Sequence, residues 1–170
     1  MSQEENSGTS EYFSFLLGEE EFALEISKVR EVLDYTRILK IPNMPAFIRG
    51  VINLRGDVVP VIDLRLKLGM VQTEKSLNTC IVIVEVEMKE EVLVMGVLVD
   101  SVEEVFTLDF RQIKPPPRLG ARINVDFIRG MGQRGEKFLI LLDVDRVFSD
   151  EELKIVAQSQ EGGAEKEALV

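Results

Sequence analysis

The chain has 170 residues, 45% of them hydrophobic, which is enough to bury a sizeable core in one domain or two small ones. It contains no histidine, no tryptophan and one cysteine, Cys80. Ser-His-Asp and Cys-His catalysis, ordinary zinc sites and an internal disulfide are therefore excluded, and a formal net charge of −10 speaks against general nucleic-acid binding. A single thiol fits a reducing compartment, no apolar run approaches the roughly 20 residues of a membrane span, and the polar N-terminus lacks a signal-peptide stretch, so a cytoplasmic protein is expected.

The charge is uneven. Residues 1–11 carry Glu4, Glu5 and Glu11, and 149–170 carry six acids against Lys154 and Lys166. Between these acidic ends, 28–67 holds eight basic residues against Glu31, Asp34, Asp57 and Asp63, and 84–109 balances it with eight acids and Lys89. The first half is expected to show a basic face.

In chain order, 1–11 reads as a disordered acidic tail. In 12–26 Phe13, Phe15 and Leu17, then Phe22, Leu24 and Ile26, fall at alternate positions around Gly18-Glu19-Glu20, the pattern of a hairpin. Val58 to Leu64, Thr79 to Met88, Val92 to Val99 and Phe138 to Val144 are Val/Ile/Leu-rich runs of strand length. Cys80 shares a face with Val82, Val84, Val86 and Met88, which predicts a buried, unreactive thiol. Ser149 and Glu152 form a capping box flanked by the staple pair Phe148 and Leu153, predicting a short helix over 150–157. The polar stretch 158–170, with Gly162-Gly163, reads as a second disordered tail. The fold class is mainly β.

An internal repeat organises the chain. Ile26-x-x-Val29-x-Glu31-Val32-Leu33 recurs 73 residues on as Val99-x-x-Val102-x-Glu104-Val105-Phe106, and Phe47-Ile48-Arg49-Gly50 recurs unchanged 80 residues on as Phe127-Ile128-Arg129-Gly130. Arg55-Gly56 answers to Arg134-Gly135, and each following strand ends on an aspartate, Asp63 and Asp143. Two similar β-barrels or sandwiches follow, divided at about 12–76 and 77–148, with a longer loop in the second copy after Pro115-Pro116-Pro117. That triplet reads as a rigid crossover or, less simply, as a polyproline ligand.

What one copy has and the other lacks is where function lies. The first has Asn53-Leu54-Arg55-Gly56 after Val51-Ile52, and Lys28 and Arg30 where the second has Ser101 and Glu103. The first half is thus the candidate partner surface.

Other motifs fail on context. Gly130-x-Gly132-x-x-Gly135 matches a dinucleotide fingerprint, but it precedes a strand rather than a helix and reads as a hairpin turn. Asp63 and Asp143 are open to two readings, a catalytic carboxylate pair or, as repeat mates, two copies of one structural hydrogen bond. A non-catalytic interaction module remains, and from the residues alone a small-ligand or enzymatic β-barrel using Asp63 and Asp143 is its rival.

The run Ile41-Pro42-Asn43-x-Pro45-x-Phe47-Ile48-x-Gly50-Val51-Ile52-Asn53-Leu54-Arg55-Gly56, continuing Val58-Val59-Pro60-Val61-Ile62-Asp63-Leu64-Arg65, resembles the CheW family of chemotaxis coupling proteins. Phe15-x-Leu17-Gly18-x-Glu20, Val29-x-Glu31-Val32, Val99-Asp100-x-Val102 and Leu141-Leu142-Asp143 support it, over roughly 12–153. The resemblance implies two packed five-stranded SH3-like barrels within a CheW-like domain over 12–157, with no catalytic activity and no cofactor. It implies a scaffold joining the regulatory domain of the histidine kinase CheA to the cytoplasmic tip of methyl-accepting chemoreceptors, held at the inner membrane only through these partners. A coupling role in another receptor–kinase pathway is the alternative. Positions matching Val29, Glu31, Gly50 and Arg55 are those tied to partner binding in the family, and Asn53, Leu54 and Gly56 complete the expected site. Arg55 has two readings, a donor fork for a partner or an internal brace of its turn. An apolar contact with the kinase is expected through exposed residues of the first half such as Val51 or Val58.

Overall fold

The computed structural model describes residues 8–116 and 126–169, with 161–169 as helical backbone. Eleven strands run β1 Thr9–Leu17, β2 Glu20–Glu25, β3 Val29–Asp34, β4 Ile48–Leu54, β5 Asp57–Asp63, β6 Cys80–Met88, β7 Glu91–Val99, β8 Ser101–Asp109, β9 Ile113–Lys114, β10 Ile128–Arg134 and β11 Lys137–Leu142. One helical turn, α1 Leu64–Lys67, follows β5, and the helix α2 Asp150–Leu169 closes the chain. The fold is mainly β, as the composition of its runs requires.

Two sheets divide the strands, one in the order β8-β1-β2-β11-β10-β9 and the other β3-β6-β7-β5-β4. They stand where two five-stranded units were expected, the sixth strand being the two-residue β9. The two orders are the same order. β8 answers to β3, β1 to β6, β2 to β7, β11 to β5 and β10 to β4, down to the parallel pairs Ile140–Phe22 and Ile62–Val97. The leading hairpin of each repeat has therefore crossed into the sheet of the other. The division at residue 76 is corrected accordingly: β1 and β2 belong with β8–β11, and β6 and β7 with β3–β5.

Core placement explains why the exchange holds. Phe13, Phe15, Leu17, Val82, Val84 and Val86 turn to a shared core between the sheets, completed by Phe148, Leu153 and Val156 near and in α2. The alternate residues turn away into two private cores, Tyr12 with Phe106, Leu108 and Leu139 in one lobe, and Ile81 and Ile83 with Ile52, Val59 and Val61 in the other. A strand apolar on both faces is buried on both, so moving either hairpin would expose two cores at roughly 25 cal/mol per Å².

Several expectations change. Thr9, Ser10 and Glu11 are strand, paired with Asp109, Leu108 and Thr107, rather than tail, while 1–7 lie outside the described residues. The helix begins at the expected box, with the Glu152 amide donating to Ser149 Oγ at 3.1 Å and the Ser149 amide to Glu152 Oε1 at 2.8 Å. It then runs on through the stretch read as a second tail, since Val156 and Ser159 are fully buried and Ser159 Oγ bonds the Val156 carbonyl at 2.6 Å. Val51 and Val58 do not protrude. The backbone of Leu39 bridges that of Val51, and Ile41 and Met44 fold over both valines. Cys80 is half-buried, its thiol donating to the Asn78 carbonyl at 3.3 Å, and burial followed by the charge of Asp34 raises its pKa.

Candidate partner-binding surface

The β4–β5 hairpin closes on two residues, Arg55 and Gly56, between the paired Leu54 and Asp57. Both are left-handed, at φ 51° and 93°, as the tightest hairpin turn requires. A side chain at the first of these positions costs about 1 kcal/mol. Two contacts offset it. Asn53 Oδ1 accepts from the Gly56 amide at 2.7 Å, and the Arg55 guanidinium grips Glu31 on β3 with both terminal nitrogens, Nη1 to Oε1 at 3.3 Å and Nη2 to Oε2 more tightly. The hydrogen bond from Arg55 holds the Glu31 carboxyl below the usual carboxylate range. The internal brace of the two Arg55 readings is thus present, yet the arginine side chain is 69% exposed and keeps free donors toward solvent.

Around this pair lies a depression of about 370 Å³ lined by Arg30, Glu31, Leu54, Arg55, Asp57, Val59, Val94 and Gln160. Its walls carry both charges and its floor is apolar, which suits a polar-edged protein face better than a small anion. Of the expected site residues, Glu31, Leu54 and Arg55 meet here, and Asn53 and Gly56 support them. Val29 packs toward the shared core, and Gly50 is buried, so neither faces this depression. Gly50 answers to close packing: at φ 145°, an added Cβ would stand inside the Leu39 carbonyl oxygen and 2.8 Å from Ile38 Cγ2. Gln160 was missed because it falls in a segment read as tail; only the continuing α2 brings it here.

The other lobe repeats the pair. Glu104 on β8 meets Arg134, which ends β10 paired with Lys137 rather than standing in the turn, and the Arg134 guanidinium also lies 4.2 Å over the Phe106 ring, where the first lobe has Leu33. The two aspartates share only backbone geometry, their amides bonding Phe47 and Phe127 carbonyls at 2.7 and 2.8 Å. Asp63 is fully buried and accepts from Arg49 Nη1 at 3.0 Å, the Thr73 amide at 3.0 Å and Thr73 Oγ1 at 2.8 Å. Asp143 is half-buried and accepts from the Asp145 amide at 3.1 Å. The hydrogen bond the two repeat mates share is therefore the backbone one, while their carboxylates have taken different partners. The glycine pattern lies in β10 and its turn and leads into β11.

Twin lobes that share a core present charged, shallow outer surfaces, a geometry suited to contacts with other proteins. A family model described as the CheW-like domain matches residues 11–152, and the chain belongs to that family. It is 37% identical over 146 residues to the chemotaxis protein CheW of Klebsiella aerogenes, covering 86% of each chain, and 34% identical to that of Rhizobium meliloti over 145 residues, covering 85% of this chain and 91% of the relative. The crystal structure of the scaffolding protein TtCheW from Thermoanaerobacter tengcongensis superimposes with a TM-score of 0.74 at 35% identity, covering 85% of this chain and 96% of that one. No helix among the described residues is long and apolar enough to cross a membrane.

Proposed function

We propose that this chain couples chemoreceptors to the histidine kinase CheA in the cytoplasm, binding both proteins at once and reaching the inner membrane only through them. The observation that carries the reading is the exposed Glu31–Arg55 pair at the mouth of a depression with an apolar floor, in a chain of the CheW-like family. A receptor tip is a helical hairpin. One face of such a helix lays apolar side chains on Leu54 and Val94, while a carboxylate or a free carbonyl at its edge takes the outward donors of Arg55. The kinase regulatory domain, of like fold, docks on another face, and coupling follows from holding the two in fixed geometry.

Co-sedimentation of the purified chain with receptor-containing membranes, with and without CheA, tests this directly. Recruitment by receptor alone, strengthened when kinase is added, is the expected result. A chain that stays in the supernatant under both conditions refutes the reading.

A further inference from the structure

The arginine of the repeated Phe-Ile-Arg-Gly motif has been put to different use in the two lobes. In both it is the extra residue of a bulge, between Ile48 and Gly50 in β4 and between Ile128 and Gly130 in β10. Arg129 is half exposed and pairs with Glu25 at 2.8 Å. Arg49 is turned inward, 24% exposed, with Nη1 shared between the buried Asp63 and the Thr73 carbonyl at 3.2 Å. Its Nε and Nη2 have no partner among the described residues.

Arg49 also lines a cleft of about 470 Å³ formed by the loop from Tyr35 to Arg49 together with Gln72. Among the described residues lining it the charged ones are Lys40 and Arg49, and none is a carboxylate. Lys40 is exposed and without a partner among the described residues, and Lys75 lies 4.8 Å over the ring of Tyr35, adding a third cation at the rim. Pro42 and Pro45 bracket Asn43, held left-handed at φ 62°, so the wall is stiff before anything binds. By contrast, the depression at Glu31–Arg55 carries both signs of charge. A chain of net charge −10 that gathers cations around one polar cleft has built a site for negative charge.

From this we infer that the cleft walled by Tyr35, Lys40, Asn43 and Arg49 binds an acidic peptide segment of a protein partner. One carboxylate takes the two open donors of Arg49, fixed from behind by Asp63, and neighbouring carboxylates take Lys40 and Lys75. A peptide matches this better than a lone anion because the cations are spread along the loop and rim rather than converging on one point. This surface is separate from the Glu31–Arg55 depression and does not depend on the coupling role.

Titration of the full chain with an end-blocked hexaglutamate peptide, followed by amide chemical shifts at low salt, tests the inference. Saturable shifts are expected in the 35–49 loop and at Gln72. Lys40→Glu should weaken binding about tenfold or more, while Lys114→Glu, an exposed lysine on the other lobe, leaves it unchanged and both keep the parental melting temperature. The inference is overturned by shifts that never saturate or lie elsewhere, or by equal losses in the two variants. Inorganic phosphate producing the same saturating shifts at the same concentration overturns the peptide as occupant.

Discussion

Arg55, in the β4–β5 turn, clasps Glu31 on β3, and Arg134, the last residue of β10, clasps Glu104 on β8 in the opposite lobe, so both lobes carry the ion pair although their arginines stand one position apart in the hairpin. What distinguishes the first copy is the lack of an aromatic ring beneath the guanidinium. Arg134 is held by charge and by stacking on Phe106, whereas Arg55, with Leu33 in place of that ring, is held by its ion pair with Glu31 and the nearby charge of Asp57. The less constrained arginine is the one free to exchange its partner.

Arg55→Ala should therefore weaken recruitment to receptor membranes about tenfold or more and leave the melting temperature within a degree or two of the parent, since an exposed pair contributes little to stability. Glu31→Gln keeps the arginine and removes its internal anion, so it should weaken recruitment less. Equal losses of binding and of thermal stability in Arg55→Ala would show the pair to be only a brace.

Gly50→Ala should be among the most damaging single-methyl additions in the first lobe. The added carbon meets backbone, the Leu39 carbonyl, which cannot yield without breaking the Leu39–Val51 bridge that covers Val51 and Val58. A loss of about 3 kcal/mol or more is expected from urea unfolding. Gly56→Ala carries the strained φ but meets nothing within 4 Å, and should lose only about 1 kcal/mol. Similar losses for the two would show that backbone strain, not collision, governs Gly50.

Thr73→Val removes the hydroxyl that supplies Asp63 Oδ1 with its hydrogen bond and leaves a buried carboxylate oxygen unpaired, at a cost of about 2–3 kcal/mol. Asp143→Asn keeps an acceptor for the Asp145 amide and should cost well under 1 kcal/mol. Comparable losses would contradict the divergence of these repeat mates.

Glu152 ties α2 to α1 through Lys67 at 2.6 Å. Burial alone would raise its pKa, but the hydrogen bonds from Lys67 and from Ser149 outweigh burial and hold it below the ordinary 4.5. A carboxyl lowered on folding stabilises above its unfolded pKa, and that contribution is lost as pH falls through the folded one. Melting temperature should thus decline below about pH 4.5 partly through this group, and Glu152→Gln should be less stable than the parent at pH 7 while losing less between pH 5 and pH 3. A parallel decline in both proteins would remove Glu152 from the account.

Local pattern made much of this legible. The alternation in 12–26, the long Val/Ile runs and the Ser149–Glu152 box all became the elements they announce, because each depends on neighbours a few residues away. The repeat announced an Arg-Gly turn in each lobe, but only Arg55 lies in its turn, whereas Arg134 ends β10 and Gly135 and Glu136 make the turn. Pairing across the chain was not. Phe13, Phe15 and Leu17 show the same apolar alternation as Val82, Val84 and Val86, so either hairpin suits either sheet by pattern, and only three-dimensional closure selects the exchange. Val51 and Val58 looked exposed because the loop that covers them, through Leu39, Ile41 and Met44, has no regular period of its own. Gln160 looked like tail because glycines follow it, whereas the burial of Val156 and Ser159 carries the helix onward.

The exchange of hairpins has a measurable consequence. A fragment of residues 1–76 keeps β1 and β2 without the β8 and β11 that flank them, and keeps β3 and β5 without the β6–β7 hairpin that joins them. A fragment of 77–170 is stripped in the complementary way. Each would expose faces of the shared core and of a private core together, with sheet edges open along their length. Neither fragment alone should show a cooperative urea transition or dispersed amide resonances, although each contains one complete copy of the repeat. Mixed in equal amounts they should recover both, because every missing strand of one is supplied by the other. If either half folds by itself with a sharp transition, the lobes are independent along the chain, and the crossed pairing of Ile140 with Phe22 and of Ile62 with Val97 is not what holds the molecule together.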